Sequence, residues 1–404
     1  MTPRTRSLYI TGVWPWPRNS GGRLRAAATV RALAALGPVD VVQLAGTRRP
    51  AVPDEPDPDV RESVTLLPLD AAAPEVLSAA ARATEAARDA DYPAQVAEMC
   101  GAYRDRLADW LAGHRYDVVW CNRVNSWAPV HGLLTAPCVI DVDDLQNRLA
   151  QQRLDATGDA AEAENAKRWL RTQEAAARGA DWLVVCSELD RCRLGVENCG
   201  VVPNVYLDTA EVTPLSSAEP RPRILLQGLF RYPPNADAAR RLVDDVLPLV
   251  QREFPDARVW FVGQHGGELD RYAGRDDVRI FDVVPDVRPY VRAADVVAVP
   301  LRFGSGTRLK LLESFAMGTP VVSSQLGAEG IAATHGEHIL LADDAEEQAA
   351  AVLGLLRDPA ARRRIVAGAR ELVDHRYGAA VLNATVAEAV AQARRTFDHR
   401  RESG

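Results

Sequence analysis

Residues 296–323 read VVAVPLRFGSGTRLKLLESFAMGTPVVS. The opening run Val296–Pro300 is short, apolar and β-branched, which marks a buried strand rather than a helix. A glycine-rich loop follows, and Lys310–Met317 then carries apolar residues at helical spacing. Pro320–Ser323 begins a second buried run. Strand, glycine loop, helix and strand make one βαβ unit, the form in which parallel strands are joined.

The same alternation runs outward in both directions. Toward the N-terminus, strands are expected at Leu8–Gly12, Val39–Leu44, Val64–Leu69, Asp117–Asn122, Cys138–Asp143 and Asp181–Ser187, with a weaker one at Val201–Val202. Helices are expected at Arg23–Leu36, Ala94–Gly113 and Glu162–Ala177. Residues 208–222, DTAEVTPLSSAEPRP, have several prolines and no period, so they read as a linker. Beyond it, strands are expected at Arg223–Leu229, Arg258–Gly263, Val278–Phe281 and Ile339–Leu341 around the unit quoted above, with a helix at Asp237–Phe254 and Ala-rich helices from Ala345 onward. The expected fold class is α/β, with two doubly wound Rossmann-like domains facing a central cleft, since ligands of such sheets bind beyond the strands' carboxyl ends.

At 404 residues the chain exceeds one ordinary core, and 47% apolar with 25% charged residues suits globular domains. A net charge of -7 argues against a nucleic-acid partner. The first apolar run is too short for a signal peptide and no stretch is long enough to span a bilayer, so a cytoplasmic protein is expected, with peripheral membrane contact left open. The six cysteines, Cys100, Cys121, Cys138, Cys186, Cys192 and Cys199, show no zinc spacing and read as reduced and structural.

Chemistry concentrates in three places. Gly304, Ser305, Gly306 and Thr307 offer backbone N–H groups at a helix start, and Arg308 and Lys310 add cations, a combination suited to a diphosphate. Glu313, one turn on, is placed to accept from hydroxyl groups; Glu329, in Gly327–Gly330, stays open between phosphate-loop support and surface charge. The first strand ends in TGVWPWPRNSGGRLR, where Gly21 and Gly22 precede a helix and Trp14 and Trp16 read as an exposed stacking surface for an acceptor. The loop lacks the dinucleotide-binding glycine pattern. Cys138–Asp144 ends a strand in Asp141, Asp143 and Asp144, and the last two either cap the next helix or face a substrate.

The stretch Pro300–Val322 resembles the donor-binding segment of the family 4 retaining glycosyltransferases, in its GSGTRLK form. Gly21-Gly22-Arg23, VVCSELD at Val184–Asp190, Val202-Pro203-Asn204, YPPNADA at Tyr232–Ala238 and VVPDVRPYVRAADVVAVPLR extend the resemblance over almost the whole chain. It implies the GT-B fold, with an acceptor-binding domain at 1–207, the 208–222 linker, a donor-binding domain at 223–377 and a terminal helix at 378–404 packing back on the first domain. It further implies that Arg308 and Lys310 stabilise the departing diphosphate, that Glu313 binds the nucleotide ribose, and that Gly21, Gly22 and the 304–307 loop line the donor. Two positions depart from the family. Ser305 stands where many members have a second Glu, and Asp143 stands where many have a His, so Asp143 is a candidate to contact a donor hydroxyl or the acceptor. Arg231 is the nearest cation to the Arg and Lys that relatives carry after the first strand of the second domain.

The function expected is therefore transfer of a sugar, with retention, from a nucleotide-diphosphate sugar to a hydroxyl of a polysaccharide, lipid or small-molecule acceptor. No metal is expected and no cofactor beyond the donor itself. A nucleotide-sugar epimerase and a non-catalytic binding protein on the same scaffold remain the alternatives.

Overall fold

The computed structural model describes residues 4–16, 18, 20–44, 55–68, 92–208, 210–304 and 308–403. The chain divides into two compact units, Met1–Pro203 with Ala380–Gly404, and Asn204–Ala379.

In the first unit, β1 (Ser7–Thr11), β2 (Val39–Gln43), β3 (Val64–Pro68), β4 (Val118–Asn122), β5 (Cys138–Asp143), β6 (Trp182–Val185) and β7 (Cys199–Val201) form one sheet in the order β3-β2-β1-β4-β5-β6-β7. Every pairing is parallel, with Ile10 beside Cys121 and Cys121 beside Ile140. Residues of β1, β2, β4 and β5 are buried throughout, because a parallel sheet is covered on both faces. That is why these strands read as largely apolar runs, even where β2 carries Asp40 and β5 carries Asp141.

The second unit repeats the plan. Its strands β8 (Arg223–Gln227), β9 (Arg258–Val262), β10 (Val278–Phe281), β11 (Val296–Val299), β12 (Val321–Ser323) and β13 (Leu340–Leu341) lie in the order β10-β9-β8-β11-β12-β13, again all parallel. In each unit the chain leaves the first strand one way and returns to its other side, so the switch point falls between β1 and β4 and between β8 and β11. Crevices for ligands open at such points. The two parallel α/β units together have the GT-B fold.

The last helix, Ala379–Ser403, is part of the first unit from Ala380 onward. It buries Leu382, Val386, Ala389, Val390 and Ala393. Arg394 donates to the Thr5 hydroxyl at 3.1 Å, and Arg400 reaches Asp181 at 3.1 Å and the Ala180 carbonyl at 2.9 Å.

Three expectations need correcting. Asp208–Pro222 is not a free tether: Leu215 N–H donates to the Pro289 carbonyl at 2.8 Å and Trp260 Nε1 donates to Glu219 at 2.7 Å, so the segment is bound along the second unit. The helix after β5, to which the sequence reading gave no range, is Gln146–Thr157, and its N-cap position is held by Leu145 rather than by Asp143 or Asp144. The first helix starts at Gly21 rather than Arg23. Among the described residues, no helix is long and apolar enough to cross a membrane.

Candidate active site

The βαβ unit that opened the sequence reading is β11, the helix Leu309–Met317 and β12. Arg308 is the N-cap of that helix, and Gly318 ends it in left-handed backbone at φ 73°. Leu311, Leu312 and Phe315 are buried in the core, which turns Lys310 and Glu313 toward the carboxyl edge of β8.

Lys310 Nζ donates to Asn235 Oδ1 at 2.8 Å. Both groups crowd Gly228, the residue after β8: a Cβ there would come within 3.0 Å of Asn235 Nδ2 and 3.1 Å of Lys310 Nζ. Gly228 is also at φ 151°, a backbone that other residues rarely adopt. The amine thus lies over bare backbone at the end of the central strand. Burial, and then the nearby Arg308 charge, push the Lys310 amine down to about 7.

Glu313 sits one turn further along. It accepts from the Tyr206 hydroxyl at 3.1 Å and from Gln227 Nε2 at 3.3 Å, and Gln227 also donates to the Lys310 carbonyl at 3.3 Å. Burial pushes its carboxyl up to about 7 against those two donated bonds. Its partners are Tyr206, just ahead of the 208–222 segment, and Gln227 on β8, so it is not the surface companion of Lys310 that the i, i+3 spacing alone allows. Gly304, at φ 120°, needs its lack of a side chain too, since a Cβ would come within 2.9 Å of Arg308 Nη2 and 3.2 Å of Pro234. The expectations placed on Ser305, Gly306 and Thr307 fall outside the described residues.

Arg231 is exposed and lies against Gly266, where an added Cβ would meet its Nε at 3.1 Å. Glu329 lies in the turn after β12, its N–H donating to the Leu326 carbonyl at 3.2 Å.

A second cluster occupies the carboxyl edge of the first unit's sheet. Arg25, from the helix Gly21–Ala34, makes two bonds to Asp141, of 2.7 Å to Oδ1 and 2.9 Å to Oδ2, and one of 3.0 Å to the Val202 carbonyl. Asp143 accepts from Arg123 Nε at 3.0 Å and Nη2 at 2.8 Å, and lies 3.6 Å from Arg25 Nε. Burial alone would raise the Asp143 carboxyl, but Arg123 and then Arg25 hold it below the usual carboxylate range. Asp141 and Asp143 are therefore engaged by arginines, and among the described residues no group of three or more His, Cys, Asp or Glu side chains is placed to hold a metal.

Gly21 and Gly22 open the first helix, whose N-cap Ser20 makes no side-chain capping bond. Trp14 and Trp16 depart from the reading as an exposed platform: they are 6% and 3% exposed, packed edge to face with centroids 6.3 Å apart. Burying about 150–250 Å² of each indole outweighs leaving it in a loop for stacking. Asn235, Gln227, Tyr206, Arg25 and Arg123 were not singled out from sequence. YPPNADA held Asn235 in plain view, but nothing local tied it to Lys310.

The two-unit fold is shared with solved glycosyltransferases. Residues 221–358 match the family model described as glycosyl transferases group 1. The phosphatidyl-myo-inositol mannosyltransferase of Mycolicibacterium smegmatis is 35% identical over 147 residues, which are 35% of this chain and 38% of that protein. The match thus spans under half the length of that curated relative. Among solved structures, sucrose-phosphate synthase from Thermosynechococcus elongatus aligns over 96% of this chain and 98% of its own, with a TM-score of 0.72 at 18% identity. An Anabaena protein crystallised with UDP-glucose aligns over 96% and 99%, with a TM-score of 0.64 at 13% identity.

Proposed function

We propose that the chain is a retaining glycosyltransferase that takes a nucleotide-diphosphate sugar on its second unit and an acceptor hydroxyl on its first. The observation that carries this is the Lys310 amine over Gly228, with Arg308 at the start of the same helix and Glu313 one turn beyond. The bare backbone of Gly228 lets a diphosphate approach closely, and a cation held at the spot meets its charge. Glu313, already accepting from two donors, is spaced to take a ribose hydroxyl as another.

A nucleotide sugar has a good leaving group, so the protein's task is positioning and neutralising charge. The bond from the anomeric carbon to the diphosphate breaks, the acceptor oxygen attacks on the same face, and its proton goes to the departing phosphate oxygen. Lys310 and Arg308 stabilise the charge that grows on the diphosphate. No metal is required for that step, because the cations are built into the chain. The mannosyltransferase relatives put a mannose donor and a phosphate-bearing, hydroxyl-rich acceptor first among those to test.

Nucleotide-sugar panels incubated with candidate acceptors decide the matter. Label appearing in the acceptor with the donor's anomeric configuration supports the reading. Inverted product refutes retention, and donor converted without an acceptor points to an epimerase instead.

A further inference from the structure

Among the described residues, the two non-glycine residues in left-handed backbone are Arg123, at φ 73°, and Asp143, at φ 56°. They stand just past β4 and at the end of β5, neighbouring strands beside the switch point of the first sheet. Such backbone is strained and persists where the surroundings enforce it, often at ligand sites. Here the Arg123 N–H donates to the Asp141 carbonyl at 2.7 Å, and its side chain turns back onto Asp143.

The two members of the pair are unequally committed. Both bonds from Arg123 go to Asp143 Oδ2, at 3.0 and 2.8 Å. Oδ1 takes the Cys186 thiol at 3.5 Å and faces Arg25 Nε at 3.6 Å. Asp143 is 7% exposed, so its carboxylate is enclosed by protein groups. Arg123 uses Nε and one Nη2 hydrogen in the pair, leaving the Nη1/Nη2 edge of its five donors, and its side chain is 33% exposed. That guanidinium lies against the glycine pair, since a Cβ on Gly22 would come within 3.2 Å of Arg123 Nη2.

We propose that Arg123, rather than Asp143, is the substrate-contacting group of this cluster, that its Nη1/Nη2 edge binds a phosphate oxygen, and that Asp143 is the positioning residue that holds it. The inference rests on the glycosyltransferase reading for the identity of its substrates. The phosphate has two possible sources, the donor's diphosphate and a phosphate on the acceptor.

Arg123→Gln, Arg123→Lys, Asp143→Asn and the Arg123→Gln/Asp143→Asn double variant of the full chain test it, each with its melting temperature and with titrations of UDP and GDP. Asn tolerates left-handed backbone, so Asp143→Asn removes the charge without adding backbone strain, and its melting temperature reports any loss of stability. Arg123→Lys and Arg123→Gln bear the same backbone demand, so a difference between them reports the charge. Arg123→Gln is expected to lower kcat/KM at least tenfold, Arg123→Lys to recover part of that, and Asp143→Asn to lose less than Arg123→Gln. The double variant should be no worse than Arg123→Gln, since Asp143 acts through Arg123. A weakened nucleoside diphosphate titration assigns the phosphate to the donor; an unchanged titration with a raised acceptor KM assigns it to the acceptor. Asp143→Asn proving the more damaging, with additive losses in the double variant, overturns the proposal. So does an Arg123→Gln protein with a lower melting temperature but wild-type kinetics and titrations. If the wild type binds nucleoside diphosphate and transfers no sugar, the glycosyltransferase reading fails, and Arg123 is then judged by titration: weaker binding in Arg123→Gln than in Asp143→Asn upholds it, and unchanged binding in Arg123→Gln overturns it.

Discussion

The Lys310 amine is held 2.8 Å from Asn235 Oδ1, a residue 75 positions earlier in the chain, directly over the glycine that follows β8. Burial, and then the nearby Arg308 charge, leave its proton loosely held, at about 7. A bound diphosphate would supply the missing anion.

Replacing Lys310 therefore separates stability from function. A folded-state pKa below the usual lysine value means that stability rises with pH between about 7 and the unfolded value, and that the cost of the buried charge is largest below about 7. Lys310→Met is expected to melt no lower than the wild type at pH 6, with its relative advantage shrinking toward pH 10, while kcat/KM falls at least tenfold. Melting scans across that range, beside steady-state kinetics, check both halves.

The same shift predicts proton uptake. At pH 8 the Lys310 amine of the free protein is mostly neutral, and a diphosphate favours the charged form, so binding should draw in a proton. Calorimetry of nucleoside diphosphate binding in two buffers of different ionisation enthalpy measures it. Uptake present in the wild type and absent in Lys310→Met is expected; equal uptake in both would place the titrating group elsewhere.

Gly228→Ala tests the close approach. Its Cβ would enter space now held by Asn235 and Lys310, in a backbone that alanine rarely adopts. Weaker nucleoside diphosphate binding, by tenfold or more, is expected. Retained affinity would mean that the phosphates do not pass over this residue.

Much of the fold was legible because parallel strands, buried on both faces, leave largely apolar runs, and β1, β4 and β11 all read that way. The helix Gln146–Thr157 was given no range because QNRLAQQRLDAT has few apolar residues to show a period. The chain chemistry at Arg308, Lys310 and Glu313 was visible because it sits in one short motif. Its supports were not, since Gln227 and Tyr206 come to Glu313 from 86 and 107 residues away. Trp14 and Trp16 misled for a related reason: local sequence marks a loop, and only the packed structure shows that these two rings are buried.

The terminal helix yields a stability prediction. Leu382, Val386 and Val390 are buried in the first unit, and full burial of three such side chains contributes on the order of 5 kcal/mol as an upper estimate. Ending the chain after Gly378 should destabilise the first unit and expose it to proteolysis. Limited proteolysis with mapped cleavage sites checks this, and a truncated chain as resistant as the full one would show that the helix adds nothing.

Chelation addresses the metal. With Asp141 and Asp143 engaged by Arg25 and Arg123, sugar transfer is expected to persist in EDTA at close to its untreated rate. Activity lost in EDTA and restored by magnesium or manganese would show that a divalent ion shares the work of Lys310 and Arg308.

The central claim, that the edge of β8 under Lys310 binds a diphosphate, is tested most directly by calorimetric titration of UDP and GDP, beside uridine and guanosine, into the wild type and Lys310→Met. The account predicts that a diphosphate binds the wild type at least tenfold more tightly than its nucleoside, and that Lys310→Met removes most of this difference. Nucleoside and diphosphate binding alike in the wild type, or an undiminished preference in Lys310→Met, would contradict it.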